Sequence, residues 1–114
     1  MINGINSREM ILEILLEIEE GEHSHVAIRN ALSKYQFLPK QDRAFITRVC
    51  EGTLEYRIQI DYIINSFSKV TVDKMKPAIR EILRSAVYQL KYMDSVPDSA
   101  VCNEAVKLPQ RKGF

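Results

Sequence analysis

Apolar residues recur along this chain at intervals of three and four, segment after segment, which is the pattern of helices that each bury one face. The clearest run is Pro77 to about Tyr92. There Ile79, Ile82, Leu83, Ala86, Val87 and Leu90 share a side, and Pro77 takes the first helical position, where a missing N–H has no partner to lose. A first helix is expected from Arg8 to Glu20, capped by Ser7 and ended by Gly21, with Met10, Ile11, Ile14, Leu15 and Ile18 on its buried side. Ser24 is placed to cap a shorter helix bearing Val26, Ile28, Ala31 and Leu32, followed by a loop over Tyr35–Pro39. A long helix then runs from Lys40 to Tyr56, where Gly52 marks a close helix crossing, since an interior glycine costs about 1 kcal/mol relative to alanine. A further helix lies near Gln59–Phe67, Thr71–Lys76 forms a turn or a single helical turn, and Ser95 and Pro97 open a last helix that Pro109 stops after about Leu108. Strict alternation, β-branched runs and Asn-Gly hairpins are missing. The expected fold is all-α, a bundle of about six helices forming one domain over residues 1–114.

Composition narrows the function. With 114 residues and its glycines scattered at Gly4, Gly21, Gly52 and Gly113, the chain lacks the clustered glycines that let backbone approach a nucleoside or phosphate. Glutamates interrupt the apolar stretches every few residues, so none approaches the roughly 20 residues of a membrane span. The start, Met-Ile-Asn-Gly-Ile-Asn-Ser, is unlike a secretory signal, and a cytoplasmic location is expected. Cys50 and Cys102 sit beside valines with no metal-ligand spacing, and read as reduced core thiols rather than a disulfide. The net charge of +1 conceals an asymmetry: residues 1–33 carry six acids and two bases, the remainder 14 bases and nine acids. A near-neutral total can hide a basic surface.

One constellation stands out chemically. Lys76, Arg80, Arg84, Tyr88 and Tyr92 recur every four residues on the Pro77 helix, which stacks them along one side. Guanidinium forks grip phosphates and tyrosine rings stack on unpaired bases, so the stripe suits RNA. It equally suits internal pairing of Arg80 and Arg84 with acids such as Glu81 or Asp61, with Tyr88 in the core. Lys107, Arg111 and Lys112 form a second basic cluster, able to meet phosphates or the negative end of the last helix. Asp42 and Arg43 read as first-turn residues, His23 and His25 as loop residues, and the Glu9, Glu13, Glu17 face as solvated or as a protein-docking surface. No catalytic or metal-binding constellation is visible.

Three stretches carry a family resemblance. They are Asp42-Arg-Ala-Phe-Ile-Thr-Arg-Val-Cys-Glu-Gly-Thr-Leu54 with Ile60-Asp61-Tyr62 after it, Arg80-Glu-Ile-Leu-Arg-Ser-Ala-Val-Tyr-Gln-Leu90, and Val96-Pro97 leading into Asn103-Glu104-Ala105-Val106-Lys107-Leu108. Their order resembles the NusB fold over about residues 7–114. The Asp-Arg-Ala-Phe and Val-Pro forms look most like the N-terminal domain of the ribosomal RNA cytosine-C5 methyltransferases of the RsmB, Sun or Fmu family. The resemblance implies an RNA-binding helical domain fused ahead of a catalytic domain that uses S-adenosylmethionine. The catalytic cysteines of that second domain do not map onto Cys50 or Cys102, so no methyl transfer and no cofactor are expected of this chain alone. The family's last helix also looks absent here, which implies an exposed apolar patch that a homodimer would cover. Arg8 matches the basic residue opening the family's first helix, and Lys76, Arg80 and Arg84 match the start of its Arg-x-x-Leu-Arg helix. With Arg111 and Lys112 these are the candidate RNA contacts, small-subunit rRNA and the catalytic domain being the expected partners. The alternative implied is a free-standing antitermination factor that binds RNA and a ribosomal protein.

Overall fold

The computed structural model describes residues 6–94 together with Asp98 and Ala105. Five α-helices and one 3-10 turn follow in order: α1 (Ser7–Glu19), α2 (Ser24–Lys34), α3 (Lys40–Glu55), α4 (Arg57–Phe67), the turn Val72–Lys74, and α5 (Pro77–Tyr92). No strand occurs among the described residues. The expected sixth helix falls mostly outside them; its two described residues, Asp98 and Ala105, are helical.

Local chemistry sets the ends. α1 is capped by Asn6, whose side-chain oxygen accepts the Glu9 N–H at 2.8 Å, so Ser7 is the first helical residue and not the expected cap. An amide oxygen one residue further back reaches that third helical N–H, which a cap at Ser7 would leave behind. At the other end Gly21 adopts φ 116°, and the Gly21 and Glu22 N–H groups bond back to Ile18 and Glu17. That is the left-handed turn a glycine permits at a helix end. His23, whose side chain makes no capping hydrogen bond, takes the capping position of α2 that Ser24 was expected to hold. The C-terminal carbonyls of α2 find a partner from elsewhere: Arg43 on α3 donates through Nη1 to the oxygens of Leu32 and Tyr35. A single residue, Tyr56, separates α3 from α4, so α4 starts two residues earlier than the periodicity indicated.

α1 lies against α2, α3 and α5, and α5 packs on α1, α3 and α4. Contacts at both ends make α1 and α5 antiparallel: Arg8 meets Gln89, and Glu19 meets Arg80. Met10, Ile11, Ile14, Leu15, Ile46, Val49, Cys50 and Ile60 form the fully buried centre. Gly52 has the close-crossing role its position suggested, since a Cβ there would overlap the Tyr88 ring. Cys50 is a free thiol, buried among apolar side chains that push its pKa up and leave it a packing residue; Cys102 lies outside the described residues. Ile58 and Tyr62, one turn apart on α4, are well exposed.

Candidate nucleic-acid interface

The four-residue stripe on α5 divides into two halves with different surroundings. Its first half is a charge cluster that joins three helices. Arg80 grips both oxygens of Glu19, at 2.8 and 2.6 Å, and its Nη1 donates to the carbonyls of Val72 and Met75. One side chain thus ties the end of α1 to the loop before α5. Arg84 makes a two-pronged contact with Asp61 of α4, at 2.8 and 2.9 Å, and donates to Glu81 at 2.6 Å. Internal pairing of these two arginines, one of the two arrangements the spacing allowed, is therefore what the fold contains. Asp61 and Glu81 are partners of Arg84, while Arg80 takes Glu19 from a helix far away in sequence.

The cluster holds three carboxyls against two guanidiniums. Hydrogen bonding to Arg80 holds the Glu19 carboxyl well below its ordinary range, against the opposing effect of burial. Glu81, 3% exposed, moves the other way: burial raises its pKa first, and the hydrogen bond it shares with Glu19 adds to this, outweighing the Arg84 charge. A proton on Glu81, on the side facing Glu19, would balance three carboxyls against two guanidiniums, and burial of Glu81 favours that neutral form.

The second half is aromatic. Tyr88 and Tyr92 stack with Tyr56, the residue between α3 and α4, at centroid distances of 4.4 Å for Tyr56–Tyr92 and 5.4 Å for Tyr88–Tyr92. Cations border this stack. Lys91 Nζ lies 5.7 Å from the centre of the Tyr92 ring, and Arg48 Nη2 is 3.4 Å from the Tyr92 carbonyl oxygen. An open groove of about 690 Å³ runs beside it, lined among others by Lys40, Arg48, Glu51, Glu55 and Tyr88. Arg8 stands at the same end of the molecule. Its Nε donates to Gln89 at 3.1 Å and its guanidinium carbon lies 5.3 Å from the centre of the Phe45 ring.

Arg8 and Lys76 are therefore not neighbours. At roughly 1.5 Å per residue, Lys76 and the Gln89 that holds Arg8 are separated by about 20 Å along α5. Lys76 is exposed beside the charge cluster, Arg8 half-buried at the aromatic end. Arg111 and Lys112 lie outside the described residues. Sequence reasoning missed Tyr56, Arg48 and Lys91, because each belongs to this end only through tertiary packing or lies off the four-residue spacing. Acids of α1 and of the loop after it gather on another side, where Glu13, Glu17, Glu20 and Glu22, with Lys34, line a groove of about 580 Å³ against α2. Among the described residues no group of His, Cys, Asp or Glu is placed to hold a metal ion, and no helix is long and apolar enough to cross a membrane. Among the described residues no strand leads into a glycine-rich turn and helix of the kind that cradles a nucleoside.

The sequence matches the NusB family over residues 5–113. The chain belongs to the NusB family. Its fold matches, with a TM-score of 0.83 at 18% identity, a crystal structure of the antitermination factors NusB and NusE in complex with double-stranded RNA, over 93% of this chain and 80% of that one. Curated relatives are of two kinds. The probable ribosomal RNA small subunit methyltransferase B of Bacillus subtilis is 30% identical over 106 residues, 93% of this chain and 24% of that protein. The counterpart in Synechocystis is 33% identical over 111 residues, 96% of this chain and 25% of that protein. The transcription antitermination protein NusB of Bacillus velezensis is 32% identical over 108 residues, 94% of this chain and 80% of that protein. The chain thus spans about a quarter of the methyltransferases and most of the antitermination protein.

Proposed function

We propose that this NusB-family domain binds RNA and serves a small-subunit rRNA cytosine-C5 methyltransferase, bringing rRNA to a catalytic domain that uses S-adenosylmethionine. The observation that carries the reading is the alignment of both methyltransferases over almost the whole of this chain. RNA contact is assigned to Arg8 at the aromatic end, where the Tyr56–Tyr88–Tyr92 stack, Arg48 and Lys91 offer cations and π-faces together, with Lys76, Arg111 and Lys112 as further phosphate contacts. Arg80 and Arg84 serve that surface indirectly, by fixing α5 against α1 and α4. Affinity of this kind is mostly sequence-tolerant and electrostatic.

The test is a titration of a labelled small-subunit rRNA fragment with the 114-residue chain. With the four named phosphate contacts formed, binding should weaken roughly 50- to 150-fold between 50 and 200 mM salt. Affinity that ignores salt would refute it. A second reading, a free-standing antitermination factor, is favoured by the 80% coverage of the Bacillus velezensis protein. Purified NusE separates the two. A stable NusE complex would support antitermination, and its absence, with salt-sensitive rRNA binding intact, would support the methyltransferase role.

A further inference from the structure

The open groove along α3 holds a polar group that the fold leaves unsatisfied. Tyr88 is 5% exposed, and among the described residues its hydroxyl has no hydrogen-bond partner. A Cβ at Gly52 would fall on the Cζ, Cε1 and Oη atoms of Tyr88, so the phenol end of the ring lies at the notch this glycine leaves in the side of α3. Gly52 and Tyr88 both line the groove of about 690 Å³, and the hydroxyl is therefore turned toward it. An unpaired hydroxyl withdrawn from water is a cost that packing alone does not demand, since a phenylalanine ring would fill the same space. Around the notch the charges are mixed. Glu51 and Glu55, one turn apart on α3, are exposed, and their carboxyls make no hydrogen bond or ion pair among the described residues. Lys40, Arg43 and Arg48 line the same groove, and three cations there disfavour a basic peptide as its occupant.

We infer that this groove takes one unpaired guanine base of the RNA, its edge read by Glu51, Glu55 and the Tyr88 hydroxyl while Lys40 and Arg48 meet the flanking phosphates. The inference rests on the reading of this end of the molecule as an RNA surface, and it names the base that surface selects. A carboxylate offers acceptors only, and its two oxygens match two N–H groups lying side by side. Guanine alone among the four RNA bases carries two adjacent donors on its pairing edge, N1–H and the N2 amino group. The second hydrogen of that amino group is left for the other carboxylate. Beside N1 is O6, an acceptor, which suits the Tyr88 O–H. Cytosine and adenine offer one amino donor beside ring-nitrogen acceptors, and uracil one N–H between two carbonyls whose lone pairs repel a carboxylate. Unpaired bases are splayed out from their strand, and the groove has a volume common to ligand sites.

The experiment titrates the full chain with short labelled single strands of equal length: all uridine, or uridine with guanosine, inosine, adenosine or cytidine at the centre. The guanosine strand should bind about fivefold more tightly than the uridine strand, the low end for a paired contact because both carboxylates are exposed. Inosine, which lacks the N2 amino group, should fall between them. Tyr88→Phe removes a hydroxyl that nothing holds, so its melting temperature should match wild type while the guanosine preference drops about twofold. Glu51→Gln combined with Glu55→Gln should bind the uridine strand more tightly, because two negative charges are gone, yet bind guanosine no better than uridine. A wild-type chain that binds every strand alike, with salt-sensitive affinity, overturns the inference and leaves the RNA-binding reading standing. A guanosine preference undiminished by Tyr88→Phe or by the paired glutamine substitutions also overturns it, since the base is then read elsewhere. Failure to bind any of the strands or the rRNA fragment at low salt refutes the RNA-binding reading itself.

Discussion

At the scale of single residues, Glu81 and Arg84 show why a basic stripe is ambiguous. The same spacing that would present guanidiniums to phosphate places Arg84 between Asp61 and the buried Glu81, and these two carboxyls take it. Removing the guanidinium leaves those acids uncompensated, so Arg84→Met should lower stability by about 3 kcal/mol, toward the smaller end for a buried pair because Asp61 keeps some contact with water. Glu81→Gln has a different expected outcome. Its amide can still accept from Arg84 and donate to Glu19, so stability at neutral pH should stay within about 1 kcal/mol of wild type. The pH profiles should nevertheless diverge. Glu81 binds its proton more tightly folded than unfolded, its pKa being pushed up to about 8; the stability this provides is fully present below the ordinary carboxylate range and is lost as pH rises to that value. Glu19, held down at about 2, contributes stability above the ordinary range that is lost only in strong acid. Wild type should therefore lose stability relative to Glu81→Gln between about pH 5 and 8. Parallel denaturation profiles across that window would show that Glu81 holds no such proton.

At the scale of elements, the packing of α3 against α5 depends on one missing side chain. A Cβ at Gly52 would overlap the Tyr88 ring, and that ring cannot swing aside without disturbing its stack with Tyr56 and Tyr92. Gly52→Ala should gain about 1 kcal/mol in helix propensity and lose more to the clash, with a net destabilisation of about 1–3 kcal/mol in urea denaturation. A neutral or stabilising result would mean that α3 and α5 separate freely. This close approach was legible in the sequence because an interior glycine on an otherwise regular helix has few other uses. The bounds of α5 were legible too, since Pro77 and the apolar spacing fix them locally. The start of α1 was not. Asn6 and Ser7 are both competent caps, and a one-residue choice between them depends on which oxygen reaches the Glu9 amide. The α3–α4 junction was hidden for a related reason: a break of one residue, Tyr56, leaves no glycine, proline or loop composition to mark it.

For the whole molecule, the antiparallel packing of α1 and α5 sends Arg8 and Lys76 to opposite ends, with the acidic α1–α2 groove on a different side. Contacts about 20 Å apart along a helix share no phosphate. The losses of RNA affinity on Arg8→Ala and Lys76→Ala should therefore add within about 0.5 kcal/mol in the double variant. A coupling well above that would mean that one RNA group bridges them. Residues near in sequence, or repeating every four, were visible without a structure: the helices, the apolar faces, the all-α class and the family motifs. Those features depend on local backbone preference and on the burial of one face, which a sequence encodes position by position. Which charges reach an RNA is a different question. Arg80 turned to Glu19, Arg84 to Asp61, and Arg8 to Gln89 and Phe45 because distant helices brought those partners within hydrogen-bonding distance. Coulombic and hydrogen-bonding partners are chosen by proximity in space, so only the tertiary structure decided which cations of this chain hold it together and which face outward.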